Sequence, residues 1–148
     1  MIIHESLIEL NLKSKNKTEI IETLAQKAEK LGRIRDLDGY TQAVFAREEL
    51  FSTAIGYGIA IPHGKSRFVQ ESFIAFARSP EAFLWDSRSE HRVRLIFLIG
   101  VPEEQASDLH LKILANISRG LMNESYRERL LQAGDVLEVM GIFKEMGL

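Results

Sequence analysis

The apolar positions of this chain change period twice along its length. Over residues 16–32 ("NKTEIIETLAQKAEKLG"), Ile20, Ile21, Leu24, Ala25, Ala28 and Leu31 recur at helical spacing and share one face. Asn16, with Glu19 three residues on, supplies a start signal, and Gly32 a stop. Residues 38–50 ("DGYTQAVFAREEL") predict a second helix, less cleanly periodic, with Arg47 in its last turn. The period then shortens. "IAI" (59–61) and "SFIAFA" (72–77) are extended runs, and in "RVRLIFLIG" (92–100) two arginines alternate with apolar residues before the run becomes wholly apolar. That is the pattern of a strand entering a sheet covered on both faces.

Helical spacing returns at 107–122 ("SDLHLKILANISRGLM"), where Ser107 is a plausible cap and Leu109, Ile113, Leu114, Ile117 and Leu121 point inward. Two further helices follow over 123–134 and 135–147, the second opened by an Asp135/Glu138 capping box. No repeat, low-complexity segment or linker interrupts the series. The order helix, helix, strands, helices predicts a single mixed α/β layered domain over 1–148.

Composition narrows the function classes. At 148 residues, 45% apolar and 27% charged, the chain matches one ordinary globular domain. The net charge is -2 with no basic run, which argues against a nucleic-acid partner. The absence of cysteine excludes disulfides, thiolate zinc sites and cysteine nucleophiles, and it fits a reducing compartment. The start "MIIHESLIEL" carries no secretory leader, and no apolar stretch has the length to span a bilayer. The expectation is a cytoplasmic protein without membrane insertion.

The densest chemistry lies in "FSTAIGYGIAIPHGKSRF" (51–68), with Gly56, Gly58 and Gly64 around Pro62-His63. A phosphate cradle needs four residues between its first glycine and Gly-Lys-Ser, but five separate Gly58 from Gly64. Pro62 also removes a backbone donor and biases Ile61 to an extended conformation. Ile61 stands where a dinucleotide fingerprint needs its third glycine. Nucleotide binding is excluded on these grounds.

The histidines are His4, His63, His91 and His110, and His4 and His91 carry nothing beyond surface roles. His63 is framed by an extended run, a stiff proline and a permissive glycine, a frame that aims one side chain in a fixed direction. The same residues also make an ordinary turn with a satisfied surface imidazole. His110 falls in the first turn of the helix that Ser107 would cap, where unpaired N–H groups favour a neutral imidazole and a nearby anion. Arg47 offers a planar fork of donors for phosphate oxygens, although by spacing alone it is first a partner for Glu48 or Glu49.

Taken together, "REELFSTAIGYGIAIPHGKS", the later "HLKILANIS" and the opening "LNLKSKNKTEIIETLAQKAEKLG" resemble the fructose/mannitol-type enzyme IIA proteins of the bacterial sugar phosphotransferase system, over nearly the whole chain. The resemblance implies a mixed β-sheet with helices on both faces and a site in a shallow depression at one end. It implies a phosphocarrier: His63 accepts a phosphoryl group from the phosphohistidine of HPr and passes it to the cysteine of a IIB component. Arg47 and His110 match the family's phosphoryl-stabilising positions. Ala54 stands where the family commonly has glycine, and Tyr57 where it has a small or polar residue, which bears on loop shape and partner choice.

The residue chemistry agrees with that implication. Histidine is both nucleophilic and largely neutral near pH 7. Exchange between phosphohistidines joins bonds of similar energy, so neither ATP nor metal is needed, and His63 with His110 lacks a third metal ligand. Without cysteine, the chain requires its IIB acceptor on a separate domain or chain. The same motif also occurs in regulatory IIA proteins of the nitrogen-related branch, which signal by their phosphorylation state, and this is the alternative reading.

Overall fold

The computed structural model describes residues 2–148, except for the side chains of Gln105, Ala106, Ser107, Leu109 and His110. After a short 3-10 turn, β1 (Ile8–Glu9) leads to α1 (Lys17–Lys30) and α2 (Leu37–Leu50). Then come β2 (Ala54–Gly56), β3 (Ile59–Ala60), β4 (His63–Ser66), β5 (Phe73–Leu84) and β6 (Arg92–Pro102). A second 3-10 turn precedes α3 (Ala106–Leu121), α4 (Glu124–Gln132) and α5 (Val136–Glu145).

The strands form one sheet in the order β1-β5-β6-β3-β2, with β4 also paired to β6. β5 and β6 run antiparallel, whereas β1 on β5, and β3 and β4 on β6, run parallel, so the sheet is mixed. Helices cover both faces, as the wholly apolar run in β6 demands. Phe73, Ala75 and Ala77 of β5 face α1 and α2 with Ile20, Leu24, Tyr40 and Val44. Ile74 and Phe76 face the other way, onto Ile113, Ile117 and Phe143 of α3 and α5.

Strand β6 changes parity on the way. Val93 belongs to the α1/α2 side, yet Leu95, Phe97 and Ile99 belong to the α3/α5 side together, so both cannot be odd positions of one regular strand. The N–H groups of Arg94 and Leu95 both donate to the Gly58 carbonyl, at 2.8 and 3.0 Å, and this two-against-one pairing is the bulge that resets the pleat.

The caps of α1 and α5 agree with the sequence. Asn16 accepts from Glu19 N–H, and Asp135 accepts from Glu138 N–H at 2.8 Å, while the Glu138 carboxylate reaches back to Gly134 N–H. α2 starts one residue earlier than its pattern implied, because Asp36 caps it through Gly39 N–H. β5 runs past Ala77 to Leu84, continuing through Pro80 at the irregular stretch between Arg78 and Phe83. The guanidinium of Arg78 on β5 caps α4 by donating to the carbonyls of Leu130, Leu131 and Ala133 at 2.9, 3.3 and 2.7 Å.

Helix α2 is fastened to the sheet by two features. The Tyr40 hydroxyl, which burial keeps protonated, donates to the Ile99 carbonyl at 2.8 Å. At Gly64 the helix comes close to β4: a methyl group there would stand 3.0 Å from Val44 Cγ2 and 3.3 Å from Val44 N. Tyr40→Phe leaves that buried carbonyl short of its donor. It is expected to cost about 1–3 kcal/mol in thermal or urea unfolding, with the spectrum of the folded protein unchanged.

Candidate functional site

His63 is the first residue of β4 and not part of a free Pro-His-Gly turn. The edge of β6 beyond its pairing with β3 is open, and residues 63–66 fill it in parallel register, His63 opposite Ile99. Pro62 has no N–H to give, but its carbonyl accepts from Ile99 N–H at 3.0 Å, so the ladder begins there.

On the half-buried His63 ring, Nδ1 bonds the Ile61 carbonyl at 2.9 Å. A carbonyl only accepts, so Nδ1 carries the hydrogen and the lone pair resides on Nε2. Burial lowers the basicity of the ring below its ordinary value, and repulsion from the Arg47 guanidinium lowers it further. The bond to Ile61 and the charge of Glu48 pull the other way without cancelling the drop. The ring is therefore neutral near pH 7.

α2 brings Arg47 to the same place. Ala43, Ala46, Arg47 and Leu50 form one face of the helix, and with His63, Gly64 and Lys65 they line an open depression of about 470 Å³. Arg47 Nη1 donates to the Phe51 carbonyl at 2.9 Å, which folds the guanidinium over the end of its own helix. Among the described residues it forms no salt bridge with Glu48 or Glu49, contrary to the pairing that spacing suggested. Leu50 and Phe51 stand 68% and 74% exposed on the rim.

Glu48 faces inward instead. It lies on the buried stripe with Tyr40 and Val44, 2% exposed, where it accepts from the Thr53 hydroxyl and, at 3.2 Å, from Trp85 Nε1. Lys17 Nζ stands 3.5 Å from it and 3.4 Å from Asp86. The Arg88 guanidinium donates to the carbonyls of Glu48 and Glu49, closing the end of α2. By spacing Glu48 is offered only as a partner for Arg47; its four-residue spacing from Tyr40 and Val44 is the signal that places it on the buried stripe.

His110 is the fifth residue of α3, because the helix begins at Ala106 after a 3-10 turn and not after a cap at Ser107. It thus lies beyond the first turn, where the unpaired N–H groups were expected to act. Its side chain lies outside the described residues. The sharp turn between β2 and β3 holds Tyr57 at φ 56 between Gly56 and Gly58, and Arg127 stacks on its ring with 4.4 Å to the centroid.

Residues 1–146 match the family model described as phosphoenolpyruvate-dependent sugar phosphotransferase system, EIIA 2. The chain is 38% identical over 140 residues to the fructose-specific EIIA component of Haloferax volcanii, covering 95% of this chain and 90% of that protein. The crystal structure of nitrogen regulatory protein IIA-Ntr from Neisseria meningitidis superposes with a TM-score of 0.86 at 32% identity, covering 95% of each chain. Enzyme IIAMTL in its complex with phosphorylated enzyme IIBMTL from Escherichia coli superposes with a TM-score of 0.81 at 26% identity, again over 95% of each chain.

The lowered basicity has a measurable consequence. As pH rises, the folded protein releases the His63 proton before the unfolded chain does, so the contribution of this residue to stability is complete above about pH 6.5. It is lost as pH falls through the lower folded midpoint. NMR titration is expected to place that midpoint below 6.5, and His63→Gln should flatten the slope of stability against pH across this window. A midpoint above 6.5 would contradict the burial of the ring.

Proposed function

The chain belongs to the phosphoenolpyruvate-dependent sugar phosphotransferase system EIIA 2 family, and we propose on that premise that it is a phosphocarrier whose nucleophile is Nε2 of His63. The observation that carries this reading is the bond from Nδ1 to the Ile61 carbonyl, which leaves the lone pair on the other nitrogen of a neutral ring. In the first step Nε2 attacks the phosphorus of phosphorylated HPr; a new N–P bond forms as the donor's N–P bond breaks. In the second step the thiolate of a IIB cysteine attacks the same phosphorus, and Nε2 leaves with its lone pair restored.

Phosphoryl transfer passes through a loose transition state with charge spread over the equatorial oxygens. The work of the protein is positioning and charge. Arg47, on the wall of the same depression, supplies the cation, and its planar fork suits two of those oxygens. His110 is assigned a supporting donor role by its place in the family motif. The exposed apolar rim of Leu50 and Phe51 suits a protein partner, which fits donors and acceptors that are themselves proteins.

The fructose-specific relative supports service to a fructose-like or mannitol-like transporter, with IIB on a separate domain or chain. The likeness to IIA-Ntr supports a second reading, a regulator that signals by its phosphorylation state. Transfer from the phosphorylated chain to the IIB component of a fructose-type transporter separates them: rapid transfer favours transport, and retained phosphate favours regulation.

Incubation with enzyme I, HPr and labelled phosphoenolpyruvate should place acid-labile phosphate on wild type and none on His63→Gln. Label persisting on that variant would mean that the nucleophile lies elsewhere. Arg47→Ala is expected to slow uptake about 100-fold, and Arg47→Lys to recover part of the loss by keeping the charge without the fork. An unchanged rate in Arg47→Ala would leave the residue only its bond to the Phe51 carbonyl.

A further inference from the structure

Two residues of the motif, Glu48 and Thr53, have no part in the chemistry described above, yet both are buried and bonded to each other. Thr53 lies between α2 and β2, in the segment that carries the chain back from Arg47 towards His63. Its hydroxyl donates to Glu48. Its carbonyl accepts from Ile61 N–H at 3.0 Å. The Ile61 carbonyl in turn accepts from His63 Nδ1 at 2.9 Å. These bonds make a continuous line from a carboxylate inside the domain to the imidazole at its surface.

We propose that Glu48 is a positioning residue for the phosphorylated histidine: its buried carboxylate holds Thr53, and through Thr53 and Ile61 it fixes the tautomer and angle of the His63 ring. The inference deepens the reading of His63 as nucleophile and rests on it. The fixed end of the line is secure because Glu48 is anchored by three elements at once. Lys17 comes from the first turn of α1, Trp85 from the residue after β5, and Thr53 from the approach to β2. Asp86 shares the Lys17 ammonium, and Arg88 holds the backbone of the same turn. Arg47 is the adjacent residue on α2, so one anchor serves both the cation and the nucleophile.

The geometry of the bond to Ile61 matters because it decides which nitrogen carries the lone pair. If Ile61 drifts, Nδ1 loses its acceptor, the Nε2–H tautomer gains population, and that tautomer has no lone pair on the nitrogen proposed to be phosphorylated. Burial alone would keep the ring neutral but would not choose between tautomers.

The test is Thr53→Val, which keeps the shape and deletes the hydroxyl, with Thr53→Ser as the conservative variant. Thr41→Val is the control, since Thr41 is likewise a buried threonine but its hydroxyl donates to the Asp38 carbonyl within α2. The imidazole nitrogens of His63 are followed by NMR in the unphosphorylated protein, and uptake from phosphorylated HPr is measured separately. Thr53→Val is expected to shift population towards the Nε2–H tautomer. It should also lower the rate at saturating donor about 10-fold with KM unchanged, while Thr53→Ser and Thr41→Val keep wild-type values. A wild-type tautomer ratio in Thr53→Val, or an equal loss in Thr41→Val, would overturn the proposal. Failure of wild type to take up phosphate would instead overturn the phosphocarrier reading, and the tautomer measurement would still decide whether Thr53 orients the ring.

Discussion

Burial of both faces of β5 and β6 is the constraint on which the domain rests. A strand pair carrying Phe73, Phe76, Leu95, Phe97 and Ile99 cannot leave either side to water, so the chain must supply helices above and below. It does so asymmetrically. The segment before the strands provides α1 and α2 for one face, and the segment after them provides α3 to α5 for the other. The bulge at Gly58 belongs to the same constraint, since it lets the far end of β6 present apolar residues to the correct layer after the parity of Val93 is spent.

The candidate site follows from how α2 meets this sheet. One stripe of the helix, through Tyr40, Val44 and Glu48, is buried; the neighbouring stripe, through Ala43, Arg47 and Leu50, borders the depression. Because Gly64 has no side chain, the helix lies close enough to β4 that Arg47 and His63 share one wall. The charge of Arg47 therefore acts on His63 in the resting protein, where it disfavours an imidazolium.

Much of this was legible in the residues. The helical periods of α1 and α3 and the capping residues Asn16 and Asp135 declared themselves because each is a local signal, complete within a few positions. β1, β2 and β4 did not, since strands of two to four residues are too short to show alternation and exist only through their partners. The residues around His63 suggest a turn, but its place in a parallel ladder depends on an edge of β6 lying far along the chain. The start of α3 was displaced by the 3-10 turn at Glu103–Gln105, whose tighter winding leaves no distinct apolar period. The burial of Glu48 is not legible in the sequence from its residue type, because carboxylates are rarely buried; the convergence of Thr53, Trp85 and Lys17 makes it tenable.

The guanidinium of Arg78 binds the layers in another sense. It projects from a central strand and occupies the last carbonyls of α4, so peeling the C-terminal helices from the sheet would exchange these direct bonds for water. Separation of that layer is consequently not a graded loosening. It is opposed by a single polar knot as well as by the apolar contacts of Phe76, Phe97 and Phe143. In hydrogen-exchange terms, the amides of α4 and those of β5 near Arg78 are expected to open together, and those of the short edge strands β1 and β2 through smaller, local openings.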